Sequence, residues 1–148
     1  MPDIMHLVTI QAPPERVYQA LTTAEGIRNW WMRDADLDPR VGGTCEVRWA
    51  PGLPIRLGIE ALDPPARVSW KTLSSFRPEW LGTTLTFDLE PRESGTALLL
   101  AHRGFQVADA IFARTTTGWG YYLVSLKQYL ETGEGAPHPD VDFSRMLG

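Results

Sequence analysis

The strongest constraint on the fold is a change of hydrophobic period part way along this 148-residue chain. Between residues 45 and 103, short runs alternate apolar with polar side chains, as in Val68 to Trp70, which is typical of strands with one buried face. From Thr116 to Glu131 the apolar residues recur instead at helical spacing. Because each element has an apolar face that another element must cover, the sequence predicts an α+β fold. In this fold a curved antiparallel sheet wraps around a long C-terminal helix.

About six strands are expected in this sheet. Their predicted bounds are Ile4–Ile10, Cys45–Trp49, Ile55–Leu62, Val68–Thr72, Thr84–Leu89 and Ala97–Arg103. Two short helices follow the first strand: Pro13 and Pro14 open one, since proline is tolerated in a first helical turn, and Ala24–Met32 forms the other. Residues 33–43 are predicted to be a polar loop. Residues 106–114 are predicted to be a shorter helical lead-in to the last helix.

One domain over residues 1–148 is expected, with a core over 4–133 and an irregular tail over 134–148. The 14 basic and 18 acidic residues give a net charge of −4, which argues against nucleic-acid binding, because phosphates need a basic face. The N-terminus shows no secretory signal, and no apolar run approaches the roughly 20 residues that a membrane span needs. Cys45 is the only cysteine, so no internal disulfide can form, which suits a cytoplasmic location.

Six tryptophans, at positions 30, 31, 49, 70, 80 and 119, supply large apolar surfaces along the whole chain. A helix laid across a curved sheet need not fill the space beneath it, so inward aromatic side chains predict an internal cavity for a small, largely apolar molecule. The predicted lining is Trp30, Trp31, Trp49, Trp70, Phe87, Leu100, His102, Trp119, Tyr122, Leu123 and Leu126. The alternative is that these side chains pack a solid core, since protein interiors are dense.

His102 and Glu60 are the candidate polar groups inside this cavity. His102 lies on an inward strand face, where it could bind a ligand oxygen or act as a general base; a core histidine bonded to other protein groups is the favoured alternative. Glu60 points inward if Leu62 does. It is solvated if Leu57, Ile59 and Ala61 point inward, and the two registers are left open. The chain has no metal-ligand spacing and no catalytic motif, so we expect no metal site, no catalytic residues and no cofactor.

Several segments, in order along the chain, carry a family resemblance. They are residues 12–22, Trp30–Trp31, residues 41–43, residues 63–68, Gly104–Phe105, Gly118–Trp119 and residues 123–133. Together they resemble the SRPBCC (START-like, helix-grip, Bet v 1-like) superfamily, and within it the homologues of the activator of heat-shock protein 90 ATPase. The resemblance covers residues 6–133, while the segment 74–80 and the tail after Gly133 lie outside its motifs.

The resemblance implies a helix-grip fold and three kinds of function. The favoured function is binding of a small hydrophobic or amphipathic ligand, such as a lipid, between the sheet and the C-terminal helix. A chaperone ATPase-activator-like interaction protein ranks lower, because that role needs an exposed surface rather than a cavity. The third is a cyclase, dehydratase or hydrolase with His102, Glu60 or Tyr122 as its acid or base. A homodimer through the sheet edge or the second helix is left open.

Overall fold

The computed structural model describes residues 1–140. Its strands and helices, in chain order, are β1 (Ile4–Ile10), α1 (Pro14–Thr22), α2 (Ala24–Trp30), β2 (Ala35–Leu37), β3 (Thr44–Arg48), β4 (Pro54–Asp63), β5 (Arg67–Ser75), β6 (Thr84–Arg92), β7 (Gly95–Arg103) and α3 (Ala110–Thr132). A short 3-10 helix, Pro78–Trp80, lies between β5 and β6. This arrangement confirms the predicted α+β helix-grip fold.

The described strands form one antiparallel sheet in the order β1-β7-β6-β5-β4-β3-β2. From β2 to β7 each strand pairs with the next one in the sequence, and β1 joins the sheet beside β7. Short hairpins between neighbours make such a meander a locally determined structure. The alternating runs in the sequence therefore predicted most of these strands correctly.

β2 is the strand that the sequence pattern missed, and it raises the expected number of about six to seven. It lies in the predicted loop over residues 33–43. Ala35 is buried and pairs with Val47, while Asp34 and Asp36 accept hydrogen bonds from Arg48 at 2.7 and 2.8 Å. Only one of its three side chains is buried, so the strand has no period-two signal.

α3 begins at Ala110 rather than at Thr116. Asp109 caps it, because its side-chain oxygen accepts a hydrogen bond from the backbone N–H of Phe112 at 2.9 Å. The lead-in predicted over residues 106–114 is thus largely the start of α3 itself. The helix has 23 residues, about 34 Å in length, which is enough to cross the sheet. No helix of residues 1–140 is long and apolar enough to span a membrane.

Residues 134–140, which we call the C-terminal strap, follow α3 without forming a further helix. The hydroxyl of Ser125 holds the strap against α3. It accepts a hydrogen bond from the backbone N–H of Ala136 and donates one to the carbonyl of Trp30, both at 2.7 Å. The part of the predicted irregular tail over 141–148 lies outside the described residues. The strap thus extends the packed structure beyond the end of α3.

Candidate functional site

Tryptophan rings occupy the region between the sheet and α3. Trp31, which follows α2, stacks on Trp30 and Trp70 at centroid distances of 5.9 and 6.1 Å. Trp119 of α3 approaches the Trp31 ring at 5.1 Å, and Trp49 meets it edge-on at 6.2 Å. Aromatic pairs at such separations contribute about 0.5–1.5 kcal/mol beyond their burial. Most of the space in which the sequence predicted a cavity is therefore filled by these rings.

A partly enclosed space of about 70 Å³, which we call the tryptophan cavity, remains beside the stacked rings. Its aromatic walls are Trp31, Trp49, Trp80, Trp119 and Tyr122, and the rest of its lining is Ile55, Arg77, Arg114, Thr115, Gly118 and His138. An apolar cavity of about 150 Å³ can hold one benzene molecule. The tryptophan cavity, at less than half that volume, accepts a small apolar group or the edge of a ring.

Four of the predicted lining residues border this cavity: Trp31, Trp49, Trp119 and Tyr122. Contact between these four and a ligand stays a prediction. The other seven are buried in the core away from the cavity lining: Trp30, Trp70, Phe87, Leu100, His102, Leu123 and Leu126. The sequence pattern predicts only that a side chain points inward. It cannot distinguish a cavity wall from a packed core, because both are apolar and buried.

The lining residues that the sequence reasoning missed come mainly from segments with no clear periodicity. Arg77 and Trp80 lie between β5 and β6, Arg114 lies near the start of α3, and His138 lies in the C-terminal strap. Gly118 offered a signal, since a glycine inside a helix costs about 1 kcal/mol relative to alanine and suggests close approach of another group. The position of the other four could not be found without the tertiary structure.

His102 is fully buried in a hydrogen-bonded network and does not line the cavity. Its Nδ1 accepts the indole N–H of Trp119 at 3.1 Å. Because an indole can only donate, the ring proton of His102 lies on Nε2, which donates to the hydroxyl of Thr83 at 2.8 Å. That hydroxyl donates in turn to the carbonyl of Trp80 at 2.6 Å. Both ring nitrogens form hydrogen bonds within the protein. The structure therefore favours a core histidine over a polar group that binds a ligand.

Burial determines the protonation state of His102. It lowers the pKa of this imidazole from 6.5 to about 3, since the charged form would be cut off from water. The ring is therefore neutral at physiological pH. It cannot accept a further proton without breaking its bond to Trp119.

Glu60 lies outside the cavity lining, which corrects its assignment as a candidate polar group inside the cavity. The pairing of β4 with β5 shifts between Ile59 and Ala61, so Ile59 pairs with Trp70 and Ala61 with Ser69. Glu60 is the extra residue of this β-bulge and is exposed, as is Ala61. Leu57 and Ile59 are buried and Glu60 is exposed, as in the register that solvates Glu60; the bulge exposes Ala61, which that register placed inward.

The C-terminal strap forms one border of the cavity through His138. The Nε2–H of this histidine donates to the carbonyl of Trp49 at 2.9 Å, and its backbone carbonyl accepts from the N–H of Arg33 at 2.9 Å. Arg33 also forms an ion pair with Asp140 at 2.7 Å. These bonds hold the strap against the segment that follows α2.

The other potentially reactive side chains of residues 1–140 form neither a metal site nor an activated cysteine. Among residues 1–140, no three histidine, cysteine, aspartate or glutamate side chains lie close enough together to hold a metal ion. Cys45 is fully buried in the core, and burial together with the charge of Asp36 raises the pKa of its thiol to about 12. A thiol in this state is a weak nucleophile.

The fold and the aromatic cavity define the class of protein: a helix-grip domain of the SRPBCC type. Within this class the chain belongs to the family described as Activator of Hsp90 ATPase homolog 1-like protein, whose model matches residues 11–131. Both statements agree with the resemblance in the sequence motifs. Among curated proteins, none matches the chain.

Solved structures show the same fold. The Aha1 dimer from Colwellia psychrerythraea is 34% identical with a TM-score of 0.83, and the match covers 91% of this chain and 100% of that chain. The protein MLL2253 from Mesorhizobium loti is 26% identical with a TM-score of 0.78, covering 88% and 97%. DynU16, from the dynemicin biosynthetic locus, is 19% identical with a TM-score of 0.75, covering 90% of this chain and 49% of that chain. The last of these supports the fold alone.

Proposed function

We propose that the protein binds a small apolar or amphipathic molecule in the tryptophan cavity. The observation that supports this proposal best is that four tryptophans from separate parts of the chain meet at one partly enclosed space: Trp31, Trp49, Trp80 and Trp119. Small-molecule sites are concave and mostly apolar, with a few polar groups that orient the ligand. The tryptophan cavity has this composition, with Thr115 and His138 among its polar groups.

The volume of the cavity sets what kind of ligand fits. An apolar group that enters this space of about 70 Å³ leaves water and gains ring contacts with the tryptophans. Only part of a larger molecule fits, so the remainder must lie on the polar rim. An amphipathic ligand satisfies both regions.

The test is a binding screen with small aromatic and aliphatic compounds, followed by thermal shift and intrinsic tryptophan fluorescence. Gly118→Leu places a large side chain at a residue that lines the cavity and should abolish binding. Thr117→Leu is the matched control on the same helix, since Thr117 is exposed and does not line the cavity. Binding that survives Gly118→Leu, or a screen without any binder, would contradict the proposal.

The enzyme alternative has less support from the geometry. Of its three candidate acid–base groups, His102 is locked by Trp119 and Thr83, and Glu60 lies outside the cavity. Tyr122 alone lines the cavity. We therefore do not propose a reaction for this site.

A chaperone interaction is the second candidate function, and family membership is the observation that favours it. The family description names the activator of Hsp90 ATPase, and the Colwellia neighbour is named Aha1. We infer that this chain stimulates such an ATPase. The location we propose is the cytoplasm, whose reducing conditions suit the unpaired Cys45. The assay is ATP turnover by purified Hsp90 with increasing amounts of the protein. No stimulation at saturating excess would remove this candidate.

A homodimer is also consistent with one solved neighbour, which is a dimer. Among the strands of residues 1–140, β1 pairs only with β7 and lies at the edge of the sheet, and its Met5 and Leu7 are 52% and 70% exposed. We infer that a second copy covers this edge. Sedimentation should show a dimer that Leu7→Lys dissociates, whereas Leu73→Lys, at a 53% exposed residue of β5, should not. A wild-type protein that is monomeric at high concentration would rule this assembly out.

A further inference from the structure

Among residues 1–140, no carboxylate lies within salt-bridge distance of two arginines on the rim of the tryptophan cavity. Arg77 lies between β5 and the 3-10 helix, and Arg114 lies near the start of α3, yet both line the same cavity. Elsewhere among residues 1–140, eight arginines have a carboxylate within salt-bridge distance. The remaining one, Arg16, donates to the carbonyl of Leu130 at 3.2 Å. The rim pair is therefore an exception in this part of the chain.

The two guanidinium groups repel one another. Burial, and then the charge of Arg114, lower the pKa of Arg77, although the charge of Glu79 acts in the opposite direction. Arg77 is also held in position, because its guanidinium lies 5.4 Å from the centre of the Phe76 ring. A chain with a net charge of −4 has enough carboxylates to pair all its arginines. Two like charges at one cavity mouth thus favour an anion from outside the chain.

We propose that Arg77 and Arg114 bind the anionic group of an amphipathic ligand whose apolar part enters the tryptophan cavity. This inference rests on the proposed ligand-binding function and adds the class of ligand: an organic acid with a carboxylate, phosphate or sulfonate group. Guanidinium groups suit such anions, because their planar N–H donors match two oxygens at once. The cavity is small, so the anionic group lies near the apolar part, as it does in a substituted aromatic acid.

Three probes with one ring and different charge test the inference: benzoate, benzamide and benzamidinium. Binding is measured from the indole N–H signals of the six tryptophans in ¹⁵N-labelled protein. We expect benzoate to bind about tenfold more tightly than benzamide, as for one charge-assisted hydrogen bond, and benzamidinium to bind more weakly than both. In the wild-type protein, the preference for benzoate should fall as added sodium chloride screens the charges.

Variants then locate the effect. Arg77→Gln and Arg114→Gln should each remove most of the preference for benzoate, measured as the ratio of the benzoate and benzamide affinities of the same variant. Arg40→Gln removes the same charge at an exposed loop residue that pairs with Asp38, and it should keep the preference. Equal binding of benzoate and benzamide to wild-type protein would overturn the inference about the arginines but not the proposal that the cavity binds a ligand. If none of the probes shifts the signals of the cavity tryptophans, both the ligand-binding proposal and the inference fail.

Discussion

Acidification should destabilise the protein through His102, a residue that its neighbours keep neutral. Burial lowers the pKa of this imidazole from 6.5 in the unfolded chain to about 3 in the folded protein. The unfolded chain therefore takes up a proton as the pH falls through 6.5, while the folded protein does not. The free energy of unfolding is therefore unaffected by His102 well above pH 6.5, and it decreases as the pH falls from 6.5 towards 3.

The size of the effect follows from these two pKa values. Well below pH 6.5, the loss approaches about 1.4 kcal/mol for each pH unit. Between about pH 7.5 and about pH 5, His102 alone should remove about 2 kcal/mol from the free energy of unfolding. The pKa values of Asp36, Asp140 and Glu131 are lowered by their hydrogen-bond partners, so their contributions are lost at more acidic pH. A range above pH 5 thus avoids these carboxylates, and comparison with a variant that lacks the imidazole isolates the share of His102.

The assay is urea unfolding, followed by tryptophan fluorescence and circular dichroism, at both pH values for wild type and His102→Gln. The variant should be less stable at the higher pH by about 1–3 kcal/mol, because the indole N–H of Trp119 loses its acceptor. It should also lose about 2 kcal/mol less than wild type on acidification. If both proteins lose the same free energy between the two pH values, the reasoning about His102 is refuted.

Three further outcomes are expected. Ser125→Ala removes the hydrogen bonds to Ala136 and Trp30, so it should cost about 1–3 kcal/mol and speed hydrogen exchange of the strap; unchanged exchange there would contradict this. Trp31→Ala removes the central ring and should cost about 3–5 kcal/mol by urea unfolding, and a loss below about 1 kcal/mol would show that the rings do not depend on it. Cys45 should react with a thiol reagent only as fast as the protein unfolds, whereas rapid labelling in native buffer would show an open path to it.

The strands other than β2 and the end of the last helix could be predicted because their signals are local. In β3, Cys45 and Val47 are buried and alternate with half-buried residues, as period two requires. Gly133 ends α3 with φ of 89°, a left-handed conformation that glycine adopts without strain. The start of α3 at Ala110 was harder to predict, because Asp109 caps a first turn with little apolar pattern.

The candidate site could be predicted only in part, because its residues meet across long distances in the sequence. Trp31 and Trp119 were expected near a cavity and border it, whereas Trp70 and His102 point inward and are enclosed by other side chains. Ala61 left the expected alternation because a β-bulge at Glu60 shifts the pairing there. Pairing between strands decides where such a bulge forms, and one strand's pattern does not contain that information.

The amino-acid sequence by itself determined most of the elements and the apolar face of most of them. Its motifs indicated the helix-grip class, and its composition showed the supply of large aromatic side chains. Only the tertiary structure decided which of those aromatic rings fill the core and which leave a cavity. It also brought Arg77 and Arg114 together on one rim from segments far apart in the chain. The physical reason is that periodicity is a property of neighbours along the backbone. A cavity is what remains after side chains from many elements have packed by shape, and shape complementarity is not written in any one segment.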